Sequence, residues 1–114
     1  MSEKLIKNIE FATVLPLADQ VSYMPGQIVS KTLVQNKSVS MTLFAFDKDE
    51  EISAHDSDGD AMVIVLDGKG EITIENEKFE LNAGDSIIMP SKKMHSVYAT
   101  QPFKMLLVVV FPQR

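Results

Sequence analysis

Apolar and polar side chains alternate along the chain from about residue 28 onward, which predicts β-strands rather than helices. The stretch SVSMTLFAF, residues 38–46, shows this pattern clearly. In a strand, Leu43 and Ala45 would lie on one face and Phe44 on the other. Because both faces carry bulky apolar groups, we expect other parts of the protein to cover this strand on both sides.

Turn-forming residues divide the rest of the chain into further short strands. The stretches that alternate or are continuously apolar are AMVIVL (61–66), EITIE (71–75), KFEL (78–81), SIIMP (86–90), HSVYA (95–99) and FKMLLVVVF (103–111). Between the first two, DGKG (67–70) predicts a tight hairpin, because Asp-Gly favours positive φ angles. Near the N-terminus, residues 15–20 predict a short helical turn that ends before MPGQ, residues 24–27.

About eight short strands, separated by Gly, Asn, Asp and Pro, predict an all-β protein. The arrangement is expected to be a sandwich or a closed barrel, in which few strand edges stay exposed. A chain of 114 residues is long enough for one domain with a buried core, so we expect residues 1–114 to form a single domain. The sequence contains no internal repeat, linker or low-complexity segment.

The charge and hydropathy of the chain limit the kinds of partner that we expect it to bind. The chain has 11 basic and 16 acidic side chains and a net charge of −5, which gives no electrostatic basis for binding nucleic acid or an anionic membrane. The N-terminal stretch MSEKLIKNIEF interleaves charges with its apolar residues, and the longest apolar run, MLLVVVF, is far shorter than the roughly 18 residues of a membrane span. We therefore expect a cytoplasmic protein with neither partner.

The candidate chemistry rests on two histidines, His55 and His95, in a chain without cysteine. Because the chain has no cysteine, it can form no disulfide and cannot use a thiol in catalysis. Imidazole and carboxylate groups remain as metal ligands. His55 directly precedes an acidic stretch, DSDGD at 56–60, which is most simply a solvated loop. Taken singly, His55 is equally well explained as a loop histidine beside acids, and His95 as a strand histidine bonded to a backbone carbonyl.

The segment from residue 55 to residue 99 resembles the core of the cupin superfamily. The second motif of that family is G-x5-P-x-G-x2-H-x3-N. Three positions match and two depart from it: Gly84, Pro90 and His95 match, whereas Lys92 and Ala99 replace the other glycine and the asparagine. The first motif is G-x5-H-x-H-x3-E-x6-G. It is matched at His55 and Gly68, whereas Asp49, Ser57 and Ala61 replace its leading glycine, its second histidine and its glutamate.

This resemblance implies a jelly-roll barrel, a double-stranded β-helix, with its core over residues 38–111. In the family the motif side chains converge on one divalent metal ion inside the barrel, such as Fe, Mn, Ni, Cu or Zn. Two of the family's four metal ligands, a histidine and the glutamate, are absent here. The glutamate is the only anionic ligand of the set. The expected metal ligands are therefore His55, His95 and, as a substitute carboxylate, Asp60.

The same resemblance places the two histidines in one shared cavity. The expected ligand-binding residues are His55, Ser57, His95 and Tyr98, although Tyr98 is also explained as sealing a strand edge. One function is a small binding module that holds a small organic molecule, with or without a weakly bound metal ion. The alternative is a mononuclear metal-dependent enzyme of the dioxygenase or isomerase type. A third interpretation is a structural or interaction protein without a site.

A homodimer is expected because the strands are apolar on both faces. Together they carry more apolar surface than the interior of one barrel of this size can bury. Small cupins similar to this chain commonly pair through an outer sheet face and an exchanged N-terminal segment. Residues 1–35 are therefore expected to supply part of the contact.

Overall fold

The structure is a computed structural model that describes residues 4–113, and strands make up most of it. A short 3-10 helix comprises Leu17–Gln20, where the sequence predicts a helical turn. The strands found between residues 4 and 113 are β1 Ile28–Gln35, β2 Val39–Phe46, β3 Glu51–His55, β4 Asp60–Ile74, β5 Glu77–Asn82, β6 Ser86–Met89, β7 His95–Tyr98 and β8 Phe103–Val110.

All strand pairs are antiparallel, and the long strand β4 belongs to two layers. In the first layer β1 pairs with β2, β2 with β8, and β8 with the first half of β4, which also pairs with β6. In the second layer the last part of β4 pairs with β5 and β7, and β7 pairs with β3. One strand thus joins both layers and closes the jelly-roll barrel that the sequence predicts.

The DGKG stretch bends β4 instead of reversing the chain, so the prediction of a tight hairpin is wrong. The pairing of β4 with β8 shifts register between Val65 and Asp67, and Gly68 has a φ of 72°. A Cβ on Gly68 would lie 2.0 Å from the carbonyl oxygen of Pro102. The positive φ expected of Asp-Gly is present, but it serves a bulge at which β4 passes close to the start of β8.

Apolar side chains are buried on both faces of the first layer, as the pattern around Leu43 predicts. The buried residues of the barrel interior are Phe46, Ala61, Val63, Val65, Ile72, Leu81, Met89, Val97, Ala99, Phe103 and Met105. The rings of Phe46 and Phe103 stack there with their centres 4.6 Å apart. On the outer face, Leu43 and Ala45 are buried in a second cluster. The interior is therefore a packed apolar core beneath the rim of the barrel.

The N-terminal segment covers part of the outer face of the first layer. Val21 packs into the outer cluster, and the Tyr23 hydroxyl donates a hydrogen bond of 2.6 Å to Asp67. The Lys104 ammonium donates to the Ala18 carbonyl at 2.6 Å and lies 4.9 Å from the Tyr23 ring centre. The chain's own N-terminal segment thus accounts for part of the apolar pattern from which we predict a dimer. In the described range, no helix is both long and apolar enough to span a membrane.

Candidate functional site

The two histidines lie side by side at the ends of neighbouring strands. His55 is the last residue of β3, His95 is the first residue of β7, and the two are partners in the antiparallel ladder. Their ring centres are 4.4 Å apart and the ring planes meet at 68°. Pairing of β3 with β7 therefore brings together two residues that lie 40 positions apart in the sequence.

The two rings differ in their exposure to solvent. Alternation along β7 directs His95 and Val97 towards the barrel interior, and His95 is only 4% exposed. His95 also pairs with Ile74 on β4, which packs against the interior core. His55, in contrast, is exposed. The pair therefore extends from the interior wall to the rim of the barrel.

Backbone carbonyl groups determine which ring nitrogen carries the proton. The Nδ1 atom of His55 lies 2.9 Å from the Ser53 oxygen, and that of His95 lies 3.1 Å from the Lys93 oxygen. A carbonyl oxygen only accepts hydrogen bonds, so each Nδ1 is the donor and each neutral ring keeps a lone pair on Nε2. No buried polar side-chain atom in the described range lacks a hydrogen-bond partner.

The surroundings of His95 favour its neutral form. Burial lowers the pKa of His95 below its ordinary value, and a charge on the neighbouring His55 lowers it further. The hydrogen bond to the Lys93 carbonyl and the negative charge of Asp56 act in the opposite direction, without reversing the shift. Asp56, which directly follows His55 in the sequence, thus contributes negative charge near His95, an effect that the sequence analysis did not predict.

Ser57, predicted to contact the ligand, holds the loop that follows His55. Its hydroxyl oxygen accepts a hydrogen bond of 3.1 Å from the Gly59 backbone N–H. Its carbonyl accepts a second bond, 2.7 Å long, from the Lys92 backbone N–H in the segment before His95. These two bonds tie together the segments that carry the histidines, so Ser57 supports the geometry of the pair.

Asp60, predicted as a substitute metal ligand, does not join the two imidazoles. It is the first residue of β4, where the next residue, Ala61, faces the interior, so Asp60 lies on the opposite face. Its carboxylate accepts a hydrogen bond of 2.9 Å from the Ser91 backbone N–H. The residues of the described range contain no group of three or more His, Cys, Asp or Glu that could hold a metal ion. The four-ligand metal site implied by the cupin motifs therefore does not fit the residues present.

Tyr98, predicted to contact the ligand, lies on the other face of β7 from His95. Its hydroxyl donates a hydrogen bond of 2.6 Å to Asp49, and this bond raises the pKa of Tyr98. Two strand residues separated by an odd number of positions face opposite sides of a sheet. Asp49 replaces the leading glycine of the first motif and keeps a left-handed conformation, with a φ of 70°. Aspartate tolerates that conformation better than most residues.

The fold and the histidine pair together define a small double-stranded β-helix protein with two imidazoles at the rim of its barrel. Comparison with known families gives the same class. The family model described as "Cupin domain" matches residues 42–111, which is more than half of the chain. The chain belongs to the cupin family.

The chain is similar to three proteins from different organisms. A conserved protein of unknown function from Streptococcus pyogenes is 44% identical, and the match covers all of both chains with a TM-score of 0.97. A cupin superfamily protein from Desulfitobacterium hafniense is 30% identical over 94% of this chain and 98% of its own, with a TM-score of 0.90. An uncharacterised protein from Aquifex aeolicus is 28% identical over 97% of this chain and 87% of its own length.

Proposed function

We propose that this cupin binds a small organic ligand at the rim of its barrel, with the Nε2 atoms of His55 and His95 as contacting groups. The observation that carries the proposal is the orientation of the rings. Each Nδ1 is occupied by a backbone carbonyl, and the ring centres are 4.4 Å apart. Two preoriented imidazoles beside an apolar core supply the polar groups that fix the orientation of a small molecule in a binding site.

The chemistry of the pair limits the ligand. Two neutral imidazoles that donate through Nδ1 present two acceptors and no donor at Nε2. A group with hydrogen-bond donors, such as a hydroxyl or an amine, satisfies both acceptors. Protonation of His95 at lower pH replaces one acceptor by a donor and favours an anionic group instead. Near neutral pH the pair therefore favours molecules rich in hydroxyl or amino groups.

A mononuclear metal-dependent enzyme of the dioxygenase or isomerase type is the alternative. Two adjacent imidazole lone pairs favour it, since neutral imidazole suits Fe, Mn, Ni, Cu and Zn. The lack of a third protein ligand in the described range counts against it, because two neutral groups would hold the ion without compensating charge. Any divalent metal at this pair is expected to be held weakly.

Ligand-observed NMR with a mixture of sugars, polyols and amino alcohols tests the binding proposal. We expect the wild-type protein to bind at least one of these compounds, and His55→Ala and His95→Gln each to weaken binding up to about 10-fold, since one hydrogen bond contributes about 0.5–1.4 kcal/mol. Tyr98→Phe is the matched control, because its hydroxyl lies on the opposite face of β7 and its loss should leave binding unchanged. Equal binding by wild type and both histidine variants contradicts the proposal.

Metal analysis of protein purified without a histidine tag separates the two candidates. We expect much less than one metal ion per chain, and no change in the double variant His55→Ala, His95→Gln. One ion per chain in the wild type that is lost in the double variant supports the enzyme instead.

The cytoplasmic location and the exclusion of nucleic acid and membranes stay predictions from the sequence.

A further inference from the structure

A cavity of about 250 Å³ lies between the N-terminal segment and the last part of β1. One side is formed by residues between positions 4 and 8, and the other by residues 32–36. Neither histidine lines it. Pockets for drug-sized molecules have volumes of about 300–1,000 Å³, so this cavity suits a smaller molecule.

A β-bulge holds the two sides of the cavity together. The pairing of β1 with β2 shifts register between Thr32 and Val34, which makes Leu33 the extra residue of the bulge. The Leu33 carbonyl accepts a hydrogen bond of 2.7 Å from the Lys7 backbone N–H. The Thr32 carbonyl accepts one of 2.8 Å from the side-chain amide of Asn8. Two consecutive carbonyl groups of β1 therefore fix the N-terminal segment beside the cavity within a single chain.

Three side chains that line the cavity supply hydrogen-bond donors. Lys4 and Lys7 carry ammonium groups, which donate and cannot accept. The side-chain oxygen of Asn36 accepts hydrogen bonds of 2.8 and 2.9 Å from the backbone N–H groups of Ser38 and Val39. Because the oxygen of Asn36 is occupied, its NH₂ group is the part that remains for a ligand.

The charge at the cavity is opposite in sign to that of the whole chain. The protein has a net charge of −5, but no described residue that lines the cavity is acidic. The Lys4 ammonium lies 5.3 Å from the centre of the Phe11 ring. Within residues 4–113, neither Lys4 nor Lys7 lies within ion-pair distance of a carboxylate. The cavity is therefore a local positive region that attracts an anion.

Apolar side chains line the same cavity. Leu33 is 3% exposed and belongs to the outer cluster with Leu43, and Val34 packs against that cluster. Leu5 is 71% exposed, so a bound molecule can cover part of its surface. Removal of such apolar surface from water favours binding. A ligand that contacts both kinds of lining has an anionic end and a hydrocarbon body.

We propose that this cavity binds a small aliphatic carboxylate. Lys4, Lys7 and the Asn36 amide contact the carboxylate, whose two oxygens accept hydrogen bonds and cannot donate them. Leu5 and Val34 contact the hydrocarbon chain. This site is separate from the histidine pair, and the proposal does not rest on a ligand there.

NMR titration of the full chain with hexanoate tests the proposal. We expect saturable changes in the amide shifts of residues 4–8 and 32–36, with a millimolar dissociation constant. Hexylamine and hexan-1-ol have the same hydrocarbon chain without the negative charge. Each should bind at least about 10-fold more weakly than hexanoate, since hydrogen bonds to a charged group are the stronger ones.

A double lysine variant tests the contacting groups. Lys4→Gln combined with Lys7→Gln should raise the dissociation constant of hexanoate about 10-fold, because each exposed charge pair contributes up to about 5-fold. Both side chains are exposed, and the hydrogen bond of Lys7 to β1 uses only its backbone, so the variant keeps the fold. The matched control is Lys48→Gln combined with Lys78→Gln, which changes the net charge equally at exposed residues outside the cavity. Its dissociation constant should stay within about 2-fold of the wild-type value.

Four results would overturn the proposal. They are the absence of saturable shifts at residues 4–8 and 32–36, equal binding of hexylamine, an unchanged dissociation constant in the Lys4, Lys7 variant, and an equal loss in the control variant. The double variant His55→Ala, His95→Gln should bind hexanoate as the wild type does. Loss of hexanoate binding in that variant would instead place the anion at the histidine pair. Failure of the cavity proposal is thus distinguishable from failure of the function proposed for the histidines.

Discussion

His95 is a buried residue beside a second imidazole, and both circumstances oppose its protonation. Water is the best solvent for an imidazolium ion, so burial penalises the charged form. A charge on His55, with its ring centre 4.4 Å away, adds repulsion. The ring that faces the barrel interior is therefore held as a neutral acceptor, which is the state that the proposed ligand contact requires.

The lowered pKa of His95 predicts how stability depends on pH. Above about 6.5, the ordinary histidine value, neither the folded nor the unfolded chain protonates this residue. As pH falls below that value, the unfolded chain binds the proton first, so the free energy of unfolding decreases until the folded-state pKa is reached. Urea unfolding of the wild type and of His95→Gln between pH 5 and pH 8 measures the effect. The wild type should lose more stability towards pH 5, and parallel curves would contradict this prediction.

Strand β4 shows how one element depends on glycine at a single position. Its 15 residues pair with strands of both layers, so it must bend where it passes from one layer to the other. The bend coincides with the register shift after Val65 and with Gly68, which combines a positive φ with close contact to the Pro102 carbonyl. Side chains are excluded there by conformation and by space.

Substitution of two glycines separates these effects. Gly26 and Gly68 have φ angles of 67° and 72°, but a Cβ on Gly26 meets nothing within 4 Å. Gly26→Ala should therefore cost about 1 kcal/mol for the left-handed conformation alone. Gly68→Ala should cost at least about 3 kcal/mol, because the backbone must also move. Chemical denaturation gives both values, and equal losses would show that β4 relaxes freely around position 68.

The whole molecule is organised around a sheet layer with an apolar core on each side. Successive residues of β8 illustrate this, because Met105 faces the barrel interior and Leu106 faces the outer cluster beneath the N-terminal segment. Met105 is 1% exposed and Leu106 is 8% exposed. The N-terminal segment is therefore a structural layer of the protein and not an appendage to the barrel.

Two alanine variants test whether both cores stabilise the fold. Met105→Ala and Leu106→Ala should each lower the free energy of unfolding by about 2–4 kcal/mol, since each removes buried methylene groups and leaves a cavity. Urea denaturation with constant m-values measures the losses. A loss below about 0.5 kcal/mol for Leu106→Ala, as at a surface position, would show that the N-terminal segment does not cover the sheet in solution.

The strands are predictable from the sequence because side-chain alternation is a local regularity, and the meeting of the histidines is implied by the resemblance to the cupin motifs. Period-two alternation places Leu43 and Phe44 on opposite faces wherever the strand lies. The inward positions of Ile72 and Ile74 follow from the same rule and agree with the structure. His55 and His95 each occupy a motif position, so their proximity follows from family resemblance. The other residues of the site cannot be predicted in this way. Where a residue differs from the family motif, the sequence does not show which polar group takes over its role.

Other features depend on contacts between distant parts of the chain. An Asp-Gly pair permits a positive φ, but whether the strand then reverses or bends is decided by the neighbouring strand, here by Pro102 at the start of β8. The carbonyls of Ser53 and Lys93 select the ring tautomers, and backbone groups have no signature in the sequence.

The sequence by itself determined the strand content, since side-chain periodicity is a local property, and its resemblance to the cupin motifs implied the barrel class and the two imidazoles of the site. The tertiary structure alone decided that Asp60 and Tyr98 face away from His95, because strand boundaries and register set the face of every residue. It also decided which apolar surface the N-terminal segment covers and which surface it leaves bare. That outcome depends on where the chain crosses the sheet, which no short stretch of sequence specifies.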